Sequence, residues 1–192
     1  MKMDKKRVLE IFRETGVLQE GHFVLSSGRH AAQYLQCAQV LKYPVYANEL
    51  ARGIAELWQD EQIDVVVGPA IGGIIVSYAV GQALETKAVF AERKEGEMKF
   101  RRSFQIDEGD RVLLVEDVVT TGGSVKEVIR LLEQENAEIV GISSLVDRSG
   151  GKADFAYPFK PLLKLDVESF VASQCSLCEA NVPITKPGSR GN

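Results

Sequence analysis

The sequence predicts an α/β fold built on a mainly parallel central sheet flanked by helices. Three observations carry this: β-branched runs such as Val65-Val66-Val67 and Val112-Leu113-Leu114-Val115, glycine-containing turns directly after them, and stretches of helical periodicity between them. Strands that alternate with helices need crossover connections, and such connections leave neighbouring strands parallel. The 192 residues fit one domain, with a helix and cap over 1–42, an α/β core over 43–170 and a tail over 171–192.

In chain order, Asp4 caps a first helix over 5–15, where Val8, Leu9, Ile11 and Phe12 form an apolar stripe, and Gly16 ends it. Two short β-type runs, 22–25 and 33–36, flank the polar turn Ser26-Ser27-Gly28-Arg29-His30 and read as a hairpin-like cap. Pro44 suits the first turn of a second helix, along which Tyr46, Leu50, Ile54, Leu57 and Trp58 repeat at helical spacing. Strands are expected at 65–67, 88–90, 112–115, 139–146 and 162–165, with helices running to Leu84 and over 124–135. The tail after Val182, with its Pro and Gly, is expected to be an extended arm or a frayed end.

Composition narrows the function. With a net charge of −4 the chain is not a general polyanion binder, because nucleic-acid affinity needs many cations along one surface; any phosphate site must be local. Four Lys or Arg among the first seven residues, with no apolar stretch after them, do not make a secretory signal, so the expected home is the cytoplasm. The longest apolar stretch, 70–84, is broken by Gly72, Gly73, Gly81 and Gln82, and no membrane insertion is expected.

In open parallel sheets ligands gather at the carboxyl ends of the strands. The richest such end is the strand through Val115 followed by Glu116, Asp117, Val118, Val119, Thr120, Thr121, Gly122, Gly123 and Ser124. Hydroxyls and the free N–H groups at a helix start suit a phosphate dianion, and glycines let the backbone approach it. The two adjacent carboxylates suit ribose hydroxyls or the edge of a hydrated Mg²⁺. A second loop, Gly68-Pro69-Ala70-Ile71-Gly72-Gly73, follows the first β-branched strand; alone it fits close helix packing equally well. A third segment, 92–102, is rich in charge and carries Arg93, Lys94, Lys99, Arg101 and Arg102 around Gly96, and reads as a mobile loop whose cations can close over a diphosphate.

Val115 to Ser124 resembles the signature of type I phosphoribosyltransferases that binds 5-phosphoribosyl 1-diphosphate (PRPP). The resemblance implies that family's fold, with a small N-terminal hood. It gives the 5′-phosphate to Thr120 through Ser124, the ribose hydroxyls to Glu116 and Asp117, and the diphosphate to Gly68, Pro69, Ala70, Gly72 and Gly73. Val118 and Val119 belong to the same PRPP segment, and Arg93, Lys94 and Asp117 take the catalytic positions. Phe23 through His30, with Tyr34 and Gln36, is similar to the hood of orotate phosphoribosyltransferases. Leu145 through Gly151 resembles the segment whose Arg contacts orotate, which assigns Thr120 and Arg148 to that base. A guanidinium pairs with a carboxylate in bidentate fashion, and orotate carries a carboxylate that purine bases lack. Cys175-Ser176-Leu177-Cys178 and the ending 183–190 resemble a bacterial subgroup of the same family.

The sequence departs from better-known members, which have a lysine where Ser26 stands, another within the stretch occupied by Ile71-Gly72, and a histidine in the mobile loop. The resemblance further implies Mg²⁺ as cofactor, PRPP and orotate as substrates, and a homodimer in which the mobile loop serves the neighbouring subunit. The competing readings are transfer to a purine or uracil, and a PRPP-sensing regulator without turnover; no GxGxxG after the first strand supports a dinucleotide-binding oxidoreductase. Phe23 and Tyr34 suit either a base contact or the core. Two histidines are too few for a His-rich metal site, and a lone CxxC holds zinc only if another pair comes from a partner chain; the expectation is cysteines that pack the tail or stay free.

Overall fold

The computed structural model describes residues 3–25 and 27–186. Ser26 and the tail from Pro187 to Arg190 lie outside them. Helix α1 (Lys5–Glu14) begins as its sequence requires: Asp4 Oδ1 accepts from the N–H of Arg7 at 2.7 Å, and Val8, Ile11 and Phe12 are buried. Strands β1 (Leu18–Val24) and β2 (His30–Leu35) form the cap, longer than the apolar runs alone indicate. The short α2 (Ala38–Leu41), not anticipated, leads to α3 (Pro44–Leu57), with Pro44 in its first turn.

The core then runs β3 (Val65–Pro69), α4 (Gly72–Leu84), β4 (Lys87–Lys94), β5 (Glu97–Phe100), β6 (Arg111–Val119), α5 (Gly123–Gln134), β7 (Glu138–Asp147) and β8 (Phe159–Lys164), with helices after β3 and β6 as expected. Their sheet has the order β5-β4-β3-β6-β7-β8. Only the β4–β5 pair is antiparallel; every other neighbour is parallel. The buried strands read as continuous apolar runs because both faces are covered, with Trp58, Leu50 and Ile54 among the buried residues on one side and Val128, Ile129 and Leu132 on the other.

A correction concerns the segment 92–102. It is a β-hairpin, not a loop: Arg93 pairs with Met98 and Lys94 with Glu97 across a two-residue turn. Glu95 and Gly96 both take positive φ (55° and 88°), the geometry of the tight turns that match strand twist. Charged residues hid the strand because it lies at the sheet edge, where its side chains are largely exposed and need no apolar alternation.

The cap is completed from the far end of the chain. Strand β9 (Ser169–Phe170) pairs with β2, and β10 (Ile184–Thr185) runs parallel to β1, with the short helix α6 (Ser176–Glu179) between them. The described part of the tail is therefore docked, through a register that places Ile184 beside His22.

Candidate active site

The carboxyl ends of the parallel neighbours β3, β6 and β7 adjoin, and the predicted glycine loop, acid pair and Arg148 stand at or just after them. At the end of β6, Glu116 is buried while Asp117 is half-buried. Each acid bonds the backbone just ahead of it: the N–H of Asp117 donates to Glu116 Oε1 at 3.0 Å, and that of Val118 to Asp117 Oδ1 at 2.8 Å. Burial, reinforced by the neighbouring Asp117 charge, pushes the Glu116 carboxyl up to about 9.

Beyond Val119 the chain turns through Thr120, Thr121 and Gly122 into α5, whose first-turn N–H groups have no partners within the helix. These residues, with Gly123, Ser124 and Glu116, line a cleft of about 250 Å³. It opens at a helix N-terminus, where the local field favours an anion. Arg93 also lines the cleft, its Nη2 2.7 Å from Glu127 Oε2 and its Nη1 donating to Gly96 O. Lys94, the next residue along β4, projects to the opposite face of the strand, and its recorded partner is Glu95 at 4.0 Å.

Gly68 and Pro69 end β3, and Ala70 is fixed to the neighbouring strand through its N–H to Ala91 O at 2.7 Å. Ile71 and Gly72 then open α4. This loop touches the acid pair directly: a Cβ placed on Gly72 would lie 2.4 Å from Asp117 Oδ2. Here the glycine is required by close approach, and the loop and the acids form one site.

Arg148 follows the end of β7, and its N–H bonds Val119 O at 2.8 Å, placing it beside the β6 loop. Its guanidinium makes no ion pair or hydrogen bond among the described residues, so the salt bridge that would give it a purely structural role is absent there. Phe23 and Tyr34 stack with ring centroids 5.7 Å apart; Phe23 is buried and Tyr34 half-buried. Cys37, which the sequence did not single out for the site, sits just behind it. Burial and the charge of Asp117 raise its thiol to about 12, Arg148 acting in opposition.

A parallel sheet with a glycine loop, an acid pair and a hydroxyl-lined helix start at adjoining strand ends is the arrangement of a phosphate-binding transferase site. Comparison with known proteins agrees. The phosphoribosyl transferase domain family matches residues 37–175. The orotate phosphoribosyltransferase of Caldicellulosiruptor saccharolyticus is 51% identical over 188 residues, 98% of each chain. That of Thermotoga maritima is 50% identical over 96% of this chain and 98% of its own. The crystal structure of Mycobacterium tuberculosis orotate phosphoribosyltransferase with inorganic phosphate superposes with a TM-score of 0.70 at 26% identity, over 83% of this chain and 94% of that one. The chain belongs to the phosphoribosyltransferase family and, within it, to the orotate phosphoribosyltransferases.

Proposed function

We infer that the protein transfers the phosphoribosyl group of PRPP to orotate, giving orotidine 5′-phosphate and diphosphate in pyrimidine nucleotide synthesis. The observation that carries the choice of base is the unpaired Arg148 guanidinium beside the β6 loop, a partner for the orotate carboxylate. Thr120, which lines the phosphate cleft, follows Val119, whose carbonyl accepts from the Arg148 N–H, and is assigned to the base with it.

In this reading Thr120, Thr121, Gly122, Gly123 and Ser124 hold the 5′-phosphate, Val118 and Val119 shape the floor, and Glu116 and Asp117 receive the ribose hydroxyls. Gly68, Pro69, Ala70, Gly72 and Gly73 receive the diphosphate at the start of α4. Displacement at ribose C1 needs partners aligned and negative charge stabilised on the leaving diphosphate; no covalent nucleophile is required. Arg93 lines the cleft beside the loop that holds the 5′-phosphate and adds positive charge at that end of the substrate.

The residues fit a Mg²⁺ ion held mainly by the substrate's own oxygens. Asp117, half-buried at the mouth of the site, offers hard carboxylate oxygens of the kind such an ion takes. When bound, the ion would neutralise charge on the diphosphate.

We place the enzyme in the cytoplasm as a homodimer. No helix among the described residues is long and apolar enough to cross a membrane. The exposed row of Ile71, at the cap of α4, with Ile75 and Tyr78 along the helix supports burial against a second copy. Arg93 faces its own chain's cleft, so trans assistance falls to Lys94 on the other face of the hairpin.

Diphosphate release from PRPP and Mg²⁺, with orotate, uracil, adenine, hypoxanthine or xanthine supplied separately, tests the assignment. Turnover with orotate alone, lost in Arg148→Ala, is the expected result. Turnover with another base would overturn the substrate, and none with any base would leave a regulator.

A further inference from the structure

The cap holds a second cluster that phosphoribosyl transfer does not use. His22 on β1, His30 on β2, and Cys175 and Cys178 flanking the first turn of α6 bring one ligand atom each to a common point, all within 4.8 Å of one another. His22, His30 and Cys175 are buried and Cys178 half-buried. The two thiols are free, not joined to each other.

The spacing is that of a tetrahedral zinc site. Zn–N bonds of about 2.0 Å and Zn–S bonds of about 2.3 Å place nitrogen and sulfur roughly 3.5 Å apart on a tetrahedron's edge. The Cys175 Sγ to His22 Nε2 distance is 3.6 Å, Cys178 Sγ to His22 Nε2 is 3.7 Å, and Cys178 Sγ to His30 Nδ1 is 3.2 Å. The nitrogens are 2.9 Å apart, so the metal would spread them by a few tenths of an ångström.

The tautomer is set by a neighbour. His22 Nδ1 lies 2.9 Å from Val182 O, a carbonyl that can only accept, so Nδ1 carries the proton and Nε2 presents its lone pair to the cluster. Histidine ligands of metals are commonly oriented in this way.

We propose that His22 Nε2, His30 Nδ1, Cys175 Sγ and Cys178 Sγ bind one structural zinc ion that clamps the C-terminal segment onto the hood. Four protein ligands close the coordination sphere and leave no position for substrate. Binding releases one proton from each thiol, and the two thiolates neutralise the dication. The paired thiolates and imidazoles select zinc over the oxygen-seeking Mg²⁺ of the active site.

The fold explains the need. Strands β9 and β10 have only two residues each, and Ile184 is half exposed, so their ladders alone give the tail little hold. Cys175 and His22 are 153 positions apart, and a cross-link over so long a loop removes much entropy from the unfolded chain. The clamp also fixes the turn between the two histidines. That turn carries Arg29, which reaches β9 through Ser169 Oγ at 2.9 Å and Ser169 O.

The test is metal analysis of the full-length protein purified without chelator, with peptide-resolved alkylation of the native state. About one zinc per chain is expected, with Cys175 and Cys178 protected until a chelator is added. Cobalt exchanged into the site should give the visible bands of a tetrahedral thiolate complex. Cys178→Ser and His30→Gln should lose the metal, while Cys37→Ser keeps it. Protein that contains no zinc and takes up no cobalt overturns the proposal even if the variants fail to fold. So does a Cys175–Cys178 disulfide in freshly purified protein, or full zinc retention in both variants.

Discussion

Asp117 presses its carboxylate against the α-carbon of Gly72, so closely that a methyl group there would stand 2.4 Å from Oδ2. One residue lies near the end of β6 and the other opens α4, and their contact joins the acid pair to the glycine loop after β3.

Gly72→Ala should therefore act as an active-site substitution despite carrying no polar group. The added methyl displaces either the loop or the Asp117 carboxylate, and misplacement by about 1 Å costs on the order of 10²-fold in rate. Initial-rate kinetics should show kcat/KM for PRPP falling by about that factor while the melting temperature changes little. Near-normal kcat/KM would mean that Asp117 swings aside without consequence.

Glu116 predicts a pH signature of stability. Its folded carboxyl titrates near 9, above the ordinary 4.5, so the folded state holds a proton that the unfolded chain releases. Its contribution is most favourable below about 4.5, declines as pH rises through the window, and levels off above about 9. The slope relative to Glu116→Gln, which cannot ionise, is at most about 1.4 kcal/mol per pH unit. Denaturant melts of ligand-free protein from pH 5 to 9 should show wild type losing stability relative to the variant as pH rises. Parallel curves would place the ionisation elsewhere.

Lys94 and Asp117 can be assigned to one subunit or to two by mixing inactive variants. If Lys94 serves the neighbouring site, a heterodimer of Lys94→Ala and Asp117→Asn contains one site with both residues intact. Unfolding and refolding the two together should then restore part of the activity that each lacks alone. If both residues act within one chain, every site in the mixture carries a defect and no activity returns.

The parts of the molecule that were readable in the sequence share a physical reason. Strands β3, β6 and β7 are covered on both faces, so their β-branched runs announce them, and the hydroxyl and glycine loop after Val119 could be located by its place after such a strand. The β4–β5 hairpin was hidden because the exposed end of β4, with Arg93 and Lys94, and the edge strand β5, with Lys99, carry charge as readily as a loop does. The His–Cys cluster was hidden for another reason. The CxxC was visible, but its partners lie in a hairpin some 150 positions away, and a bulge in β1 between Glu20 and Phe23 obscures the face on which His22 falls. Only the docking of the tail beside β1 brings the four together.

Cys37 offers a probe of the wall behind the acid pair. It directly precedes α2, is almost fully buried, and feels Asp117 first among the nearby charges, with Arg148 opposing. A thiol that titrates near 12 is ionised to only about one part in 10⁴ at pH 8, and the thiolate is the reactive form. Native alkylation at pH 8, resolved by peptide, should leave Cys37 unmodified over times in which a free thiol reacts fully, and modification should appear only as denaturant opens the core. Prompt native reaction would mean that water reaches the back of the Asp117 site.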